Sequence, residues 1–350
     1  MTVLFLYTEL ADYFLKCCDE LSKTAEVHLI RWPVNKEAPF QFVHSSEIKI
    51  YDKNSYSQEQ LKKLISGINP DMIVCSGWVD KDYLKLTKIY SGKIPTVLTC
   101  DTHWTGSLKQ HLATILSRFF LLPVFSHIWV PGKAQVAYAR KLGFKSKKIR
   151  EGFYCCDLAK FNAVYAKYKL QKNQVFPKRF LYVGRYYDFK GISDLWSAFT
   201  QLQKETPNDW ELWCLGTGSI APIEHPKIRH FGFIQPKDLE PLLQQSGVFV
   251  LPSRFEPWGV VVQEYAAAGF PLLLSKAVGA QESFLEEGKN GFSFAPMNIL
   301  ELQNGLKKVT NLSAKELILM SEKSNDLAQK ISPQKWVANV FNIYDEFHKK

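Results

Sequence analysis

Short apolar runs alternate with longer amphipathic segments along the whole chain. In the first half, segments such as residues 133–144 separate apolar runs at residues 2–7, 70–77, 94–101 and 127–132. Short apolar runs are typical of buried strands in a parallel sheet, and longer amphipathic segments are typical of the helices that connect them. The first half of the chain is therefore predicted to be a doubly wound α/β domain.

A second series of the same kind follows a polar, aperiodic stretch at about residues 157–177, which we interpret as a linker. The apolar runs of this series are residues 179–184, 210–216, 228–233, 248–253 and 271–276. The pattern predicts an α/β fold of two doubly wound, Rossmann-like parallel-sheet domains, residues 1–160 and 175–331, that face each other across a cleft. Residues 332–350 begin with a helix cap and are predicted to pack back on the first domain.

The charge is unevenly distributed. The chain of 350 residues has a net charge of +10, and residues 1–150 hold 21 Lys and Arg against 13 Asp and Glu. This excess favours an anionic partner such as nucleic acid, a phosphorylated substrate or the cytoplasmic face of a membrane, although solubility alone explains it equally well. Nucleic acid is the weakest of these candidates because no recognition motif accompanies the charge.

Three features predict a cytoplasmic protein. The seven cysteines include no C-x-x-C pair, no apolar run is long enough to span a bilayer, and the first residues lack the features of a signal peptide.

Four loops of the second domain follow predicted strands and carry residues suited to a phosphorylated ligand. "VGRYYDFKG" contains Gly184, Arg185 and Lys190, and its two cations suit phosphate oxygens. "LGTGS" places Gly216 where a ligand can approach the backbone, and the backbone of Ile234 follows a third strand, where it can reach a base edge. Each of these three loops by itself is at least as consistent with an ordinary surface turn.

The fourth loop, "PSRFEPWGVVVQEYAAAGFP", carries two glutamates, Glu256 and Glu264. Pro257 suits the first turn of a helix and Gly259 clears the space above it, so the free amides around this turn form an anion site. The donor-binding residues predicted here are Pro257, Trp258, Gly259 and Val260. Carboxylates accept hydrogen bonds from sugar and ribose hydroxyls, so two acids beside a phosphate site are the features expected for a sugar nucleotide.

Together these motifs resemble the E-x7-E signature of the retaining glycosyltransferases of family 4, which have the two-domain GT-B fold. "VGRYYDFKG", "GFYCCDLAKF" and "VGAQESFLEEGKNGF" are similar to three further motifs of that family. The resemblance covers residues 150–345 and departs from the family pattern at Tyr265 and Ala280. The first strand also ends in "LYTELADY", without the glycine pair that many members have.

The resemblance implies a role for each site residue. Arg185 and Lys190 would hold the donor diphosphate, Glu256 would contact the transferred sugar, and Glu264 would bind the ribose hydroxyls. It also implies transfer with retention, no metal, and no cofactor besides a UDP- or GDP-linked donor substrate.

The acceptor is expected to bind the first domain. Asp101 and His103 follow a predicted strand and are candidates for catalytic contacts with the sugar, and Trp104 is a candidate for stacking on a sugar ring. Glu9 and Tyr13 follow the first strand and are further acceptor-binding candidates. The segment at residues 108–127 joins an apolar run to a basic edge, and it is predicted to be either a helix on a membrane surface or a core helix.

These predictions converge on a metal-independent, retaining hexosyltransferase that transfers a sugar to a glycan or a lipid-linked acceptor in surface polysaccharide or glycolipid synthesis. The predicted partners are the nucleotide sugar, the acceptor and, peripherally, an anionic membrane at its inner face, with no nucleic acid. A catalytically silent sugar-nucleotide-binding protein is the alternative. A nucleotide-cofactor oxidoreductase is the weaker alternative because "LYTELADY" is not a G-x-G-x-x-G turn.

Overall fold

The computed structural model describes residues 1–33 and 45–349, and the chain divides into two compact units. Unit 1 comprises the described residues of Met1–Asp157 together with Ile331–Lys350, and unit 2 is Leu158–Lys330.

Unit 1 is built on a seven-stranded parallel sheet with the strand order β3-β2-β1-β4-β5-β6-β7. Its strands are β1 (Thr2–Tyr7), β2 (Glu26–Arg31), β3 (Ile48–Asp52), β4 (Met72–Ser76), β5 (Thr96–Thr99), β6 (His127–Trp129) and β7 (Ile149–Arg150). The side chains of β1 are buried from Val3 onwards because helices cover both faces of the sheet.

The first five helices connect these strands. They are α1 (Asp12–Leu21), α2 (Gln58–Ile68), α3 (Lys81–Tyr90), α4 (Leu108–Phe120) and α5 (Lys133–Lys141). Local sequence sets where they begin: Ser57 forms a capping box with Gln60 at the start of α2, and Asp80 accepts hydrogen bonds from two amides at the start of α3.

Unit 2 is built on a six-stranded parallel sheet with the strand order β10-β9-β8-β11-β12-β13. Its strands are β8 (Arg179–Val183), β9 (Glu211–Leu215), β10 (Ile228–Gly232), β11 (Val248–Leu251), β12 (Leu272–Ser275) and β13 (Gly291–Phe294). Its helices are α6 (Leu158–Gln174), α7 (Ile192–Glu205), α8 (Glu240–Gln244), α9 (Val260–Ala267), α10 (Gln281–Phe284), α11 (Ile299–Thr310) and α12 (Ala314–Ala328). The prediction of two doubly wound parallel sheets is confirmed.

The predicted linker at residues 157–177 is wrong, because helix α6 occupies most of it. The helix buries Leu158, Phe161 and Val164, which are spaced three residues apart, and in its last turn it also buries Lys172. Tyrosines and lysines interrupt this stripe in the sequence, so the apolar periodicity of the helix is weak although the helix is packed.

The last helix, α13 (Pro333–His348), lies in unit 1. Its Trp336 is buried against the rings of Phe5 and Trp129, with ring centroids 6.0 and 4.9 Å apart, and the indole N–H donates to the carbonyl of Phe153 at 2.7 Å. The chain thus returns to its first sheet after completing unit 2.

Helix α4 is a surface helix, so the core-helix interpretation is wrong for residues 108–120, whereas Leu121, Val124 and Phe125 in the rest of the segment are buried. Leu108, Leu112, Ile115 and Phe119 are among its most exposed side chains. No helix of the described residues is both long and apolar enough to cross a bilayer.

Candidate active site

The strand order of unit 2 reverses between β8 and β11. Strands β9 and β10 extend the sheet on one side of this pair, and β12 and β13 extend it on the other. Loops leave such a pair in opposite directions, so a crevice opens at the carboxyl ends of the two strands and is the usual ligand site of a doubly wound sheet. The loop after β8 carries Lys190 and the loop after β11 carries Glu256.

Lys190 and Glu256, which are 66 residues apart in sequence, form an ion pair at this crevice. Their side chains are only 17% and 12% exposed, and the hydroxyl of Ser253 donates to the same carboxylate oxygen of Glu256 at 3.2 Å. A largely buried pair is screened less by salt than a surface pair. The site therefore presents a cation suited to phosphate oxygens beside a carboxylate that can accept hydrogen bonds from hydroxyls.

Arg254 fixes the two loops to each other. Its guanidinium donates to both carboxylate oxygens of Asp188, at 2.7 and 2.8 Å, and to both of Asp194, at 2.9 and 2.8 Å. Its own amide and that of Phe255 donate to the carbonyl of Phe189. The hydrogen bonds to Asp194 raise the pKa of Arg254 above its already high ordinary value. Sequence reasoning missed this residue because no spacing rule connects it to acids that lie 66 and 60 positions earlier.

If the crevice is the predicted donor site, changing Arg254 to lysine is expected to reduce turnover about 3- to 30-fold while KM for that predicted donor changes less. A lysine is a point charge and cannot replace four forked hydrogen bonds, so the Lys190 loop loses its register against Glu256. Steady-state kinetics would measure this effect. Arg179→Lys is a matched control, since Arg179 also pairs with a carboxylate, Glu211, but lies at the start of β8. Equal losses in both variants would refute a positioning role for Arg254.

Glycines allow the backbones of neighbouring loops in unit 2 to come into close contact. A Cβ on Gly216 would lie 1.9 Å from the carbonyl oxygen of Gly184, and Gly216 has a φ of +138°. A Cβ on Gly191 would lie 2.2 Å from the carbonyl oxygen of Pro252. The structure thus gives Gly184 and Gly216 a close backbone contact beside the crevice.

Pro257 does not lie in the first helical turn, contrary to the prediction. Helix α9 begins at Val260 after Gly259, whose φ of +91° makes it a left-handed N-cap. Pro257 and Trp258 lie in the preceding turn, which the amides of Gly279 and Ala280 tie down by donating to the carbonyls of Glu256 and Trp258. The amide of Val262 donates to the carbonyl of Gly259, so the amides of Val260 and Val261 are the ones that helix geometry leaves for an anion.

The side chain of Trp258 is 2% exposed and packs against Phe284, with ring centroids 6.3 Å apart. Only the backbone of Trp258 is therefore available to a ligand.

Glu264 is the fifth residue of α9 and is half-buried. Ile234, also half-buried, follows β10, two strands from β8 in the sheet. Arg185 is exposed, and its guanidinium carbon lies 5.4 Å from the ring centroid of Tyr187.

The departure from the family pattern at Tyr265 has a packing explanation. Its ring is buried and stacks on Phe249 with centroids 4.3 Å apart, so it fills the core beneath α9 and not the crevice. Asn290, in the "GKNG" motif, is also structural, because its amide donates to the carbonyl of Phe284 and to Ser324 in a buried cluster.

In unit 1 the predicted residues Asp101 and Tyr13 both contact Tyr154. Tyr154 donates its hydroxyl to a carboxylate oxygen of Asp101 at 3.1 Å, and its ring meets that of Tyr13 edge-on at 5.6 Å. Sequence reasoning missed Tyr154, although it stands four residues after β7 in the quoted motif "GFYCCDLAKF". Glu9 is exposed in the loop after β1.

His103 and Trp104 follow β5 but have different surroundings. Burial lowers the pKa of His103 and Asp101 opposes this effect, so the imidazole is mainly neutral at pH 7. Trp104 meets the ring of His111 edge-on at 4.8 Å, and the Lys141 ammonium lies 4.6 Å from its ring centroid. These contacts come from α4 and α5, and an acceptor-binding role for Trp104 stays a prediction.

Within residues 1–33 and 45–349, no group of three or more His, Cys, Asp or Glu side chains is arranged to hold a metal ion.

Residues 177–311, which lie within unit 2, match the family model described as Glycosyl transferases group 1. A glycogen synthase of Mycobacterium tuberculosis is 32% identical to this chain over 142 residues, which are 38% of this chain and 34% of that protein. A lipopolysaccharide core biosynthesis glycosyltransferase of Rhizobium meliloti is 31% identical over 118 residues, 31% of this chain and 32% of that protein. The matched stretches cover 34% to 50% of the first curated relatives.

Solved structures resemble the whole chain. A sucrose-phosphate synthase of Thermosynechococcus elongatus superposes with a TM-score of 0.75 at 16% identity and covers 99% of both chains. The HepE protein of Anabaena, solved with UDP and glucose, gives a TM-score of 0.68 at 16% identity over 99% of this chain and 100% of that one. The predicted GT-B fold is thereby confirmed.

Proposed function

We propose that this chain is a glycosyltransferase that moves a sugar from a UDP- or GDP-linked donor to a glycan or lipid-linked acceptor, with retention and without a metal. The single observation that carries the proposal is the largely buried ion pair between Lys190 and Glu256 at the strand reversal of unit 2. The glycosyltransferase family match over residues 177–311 supports it, because that match contains both residues.

The predicted donor-binding residues have the following roles in this proposal. Lys190 and Arg185 bind the diphosphate oxygens, and the first amides of α9 contribute further donors. Glu256 accepts a hydrogen bond from the transferred sugar, Glu264 binds the ribose, and the backbone at Ile234 contacts the base. Because Lys190 pairs with Glu256, an arriving diphosphate shares a cation that the protein already holds in place.

The proposed reaction breaks the bond between the sugar C1 and the diphosphate oxygen and forms a bond from C1 to an acceptor hydroxyl oxygen on the same face. The acceptor proton passes to the leaving diphosphate. Negative charge grows on that diphosphate in the transition state, and Lys190 and Arg185 stabilise it electrostatically. No protein nucleophile is required.

The acceptor is assigned to unit 1. Asp101, held by Tyr154, and the mainly neutral His103 can accept or donate hydrogen bonds to acceptor hydroxyls. Glu9, Tyr13 and Trp104 complete the proposed acceptor site. The expected products are surface polysaccharide or glycolipid, and the expected setting is the cytoplasm at the inner face of the membrane.

A panel of ligands tests donor binding directly. UDP- and GDP-sugars, free UDP, free GDP and NAD are added in excess, and thermal unfolding is followed. A ligand at about 100 times its Kd contributes about 2.7 kcal/mol, which corresponds to a rise of roughly 5–10 °C in the Tm of a unit of this size. We expect this rise for one sugar nucleotide, and its incubation with acceptor should release the free nucleotide.

The same panel separates the alternatives. Stabilisation without release of nucleotide with any acceptor would favour the catalytically silent binder. Stabilisation by NAD alone would favour the oxidoreductase and overturn the proposal.

A further inference from the structure

Helix α4 has its large apolar side chains on the outside. Six of them form what we call the α4 apolar face, namely Leu108 (87% exposed), Leu112 (56%), Ile115 (55%), Leu116 (38%), Phe119 (69%) and Phe120 (37%). Isolated exposed apolar residues are normal, but a contiguous row on one helix marks an interaction surface.

The inward-facing polar side chains of α4, Gln110 and Ser117, are hydrogen-bonded to the backbone of unit 1. Gln110 accepts hydrogen bonds from the amides of Thr105 and Gly106 and donates to the carbonyl of His103 at 2.7 Å. Ser117 donates to the carbonyl of Leu142 at 2.7 Å, which anchors the helix to the end of α5. The orientation of α4 is therefore fixed by specific buried bonds, and the apolar face points outward because Gln110 and Ser117 point inward.

Two cations lie on either side of the central stripe of the α4 apolar face, with Lys109 between Leu116 and Phe120 around the helix axis. With about 100° per residue, Leu108, Leu112, Ile115 and Phe119 fall within about 60° of each other around the helix axis, opposite the buried Gln110 and Ser117. Lys109 and Arg118 project about 80° to 100° to either side of this stripe. Long basic side chains at the edges of an apolar stripe can reach the headgroup layer while the stripe enters the acyl region.

The surrounding sequence is entirely cationic among its charged residues. From residue 108 to residue 150 the chain has nine Lys and Arg and no Asp or Glu. Arg140 and Lys141 are exposed at the end of α5, next to the Leu142 carbonyl that Ser117 contacts. A partner for this surface must therefore combine an apolar interior with negative charge.

We propose that the α4 apolar face docks unit 1 on a bilayer that contains anionic phospholipid. A helix of 13 residues is about 20 Å long and offers a stripe of only a few hundred Å², whereas a stable protein–protein interface takes about 800 Å² from each partner. Two copies of a strongly basic segment would also repel each other. A membrane surface satisfies the apolar stripe and the cations together.

The biological role of this docking surface rests on the proposed function. It adds that the acceptor is carried in the membrane. Trp104 packs against His111 of α4, and Gln110 of α4 holds the backbone of His103. The helix that would contact lipid thus also supports the loop assigned to the acceptor.

Vesicle binding tests the inference on the full chain. The protein is mixed with phosphatidylcholine vesicles that contain one quarter phosphatidylglycerol, and with vesicles of phosphatidylcholine alone, and the bound fraction is measured by flotation. We expect binding to the anionic vesicles at low salt. It should weaken at high salt and on neutral vesicles, by about fivefold for each cation engaged.

The decisive variant is the double substitution Leu112→Ser and Phe119→Ser. It should bind anionic vesicles at least about tenfold less well, since transfer of even one large apolar side chain accounts for about that factor. The matched control is Leu170→Ser with Leu319→Ser, two leucines that are 75% and 56% exposed on helices of unit 2, and it should bind like the wild type.

Three results would overturn docking on a bilayer: no binding of the wild type at low salt, equal binding of the α4 variant, or a dimer in light scattering that the α4 variant abolishes. Stabilisation by the sugar nucleotide should persist in the α4 variant, which shows that it is folded. If no sugar nucleotide stabilises the wild type or the variants while vesicle binding is intact, the result would contradict the proposed function but not the docking surface.

Discussion

Replacing Lys190 with alanine is expected to lower turnover by at least about tenfold, since removing one group that stabilises developing charge costs up to about a thousandfold. Lys190 is the cation that the structure fixes at the strand reversal, where the diphosphate is proposed to leave. The loss should appear mainly in kcat, because the leaving diphosphate is proposed to carry more negative charge in the transition state than in the bound donor. Measuring kcat and KM for the donor would test it.

A matched control separates this role from loss of a surface charge. Lys167→Ala removes a lysine of the same unit that pairs with Glu240 at 2.5 Å, but both of those side chains are exposed. That variant should retain wild-type turnover, since exposed ion pairs contribute little.

A second control tests whether Lys190 acts only by holding Glu256. If it did, the double variant Lys190→Ala with Glu256→Gln would lose no more turnover than Glu256→Gln alone. We expect a further loss in the double variant, because Lys190 is proposed to contact the diphosphate independently of Glu256. Unchanged turnover in Lys190→Ala would remove the proposed phosphate role.

Replacing Lys172 with methionine is expected to raise the free energy of unfolding by about 2–4 kcal/mol at pH 6. Burial lowers the pKa of Lys172 from 10.5 to about 7, and its Nζ has no hydrogen-bond partner. A lowering of that size corresponds to at most about 5 kcal/mol. The ring of Phe270, whose centroid lies 4.1 Å from Nζ, offsets part of the cost by stabilising the ammonium.

The sign of the pH dependence follows from proton binding. Below about pH 7 both the folded and the unfolded chain bind the proton of Lys172, so the full cost of the buried charge is present. Between about pH 7 and the ordinary pKa of 10.5, the unfolded chain binds it more strongly, so stability rises with pH. The advantage of Lys172→Met should therefore shrink by about 2.7 kcal/mol from pH 6 to pH 9, which is most of it.

Denaturant unfolding of both proteins at the two pH values measures this effect. Lys169→Met is the control, since Lys169 lies on the same helix but is 39% exposed and pairs with Glu322. It should change stability little at either pH. A Lys172→Met variant that is less stable than the wild type at pH 6 would contradict the predicted cost.

The sequence predicted the elements well where periodicity and burial agree. Strand β1 reads as an apolar run at residues 2–7 and is buried from Val3 onwards. It predicted α6 poorly for the opposite reason, because a buried Lys172 and several tyrosines interrupt the apolar stripe. Patterns are informative only when the chemical type of a residue matches its environment.

By itself, the sequence determined two parallel α/β sheets and a set of loops with the right chemistry, since apolar runs, glycines and charges act over a few neighbouring residues. Only the tertiary structure decided that Lys190 meets Glu256, that Arg254 clamps their loops, and which face of α4 is outside. These contacts depend on strand order and on buried hydrogen bonds between distant segments. Local pattern cannot encode them, because the partners of Lys190 and Arg254 lie 60 or more residues away and Ser117 of α4 is held by Leu142, 25 residues further on.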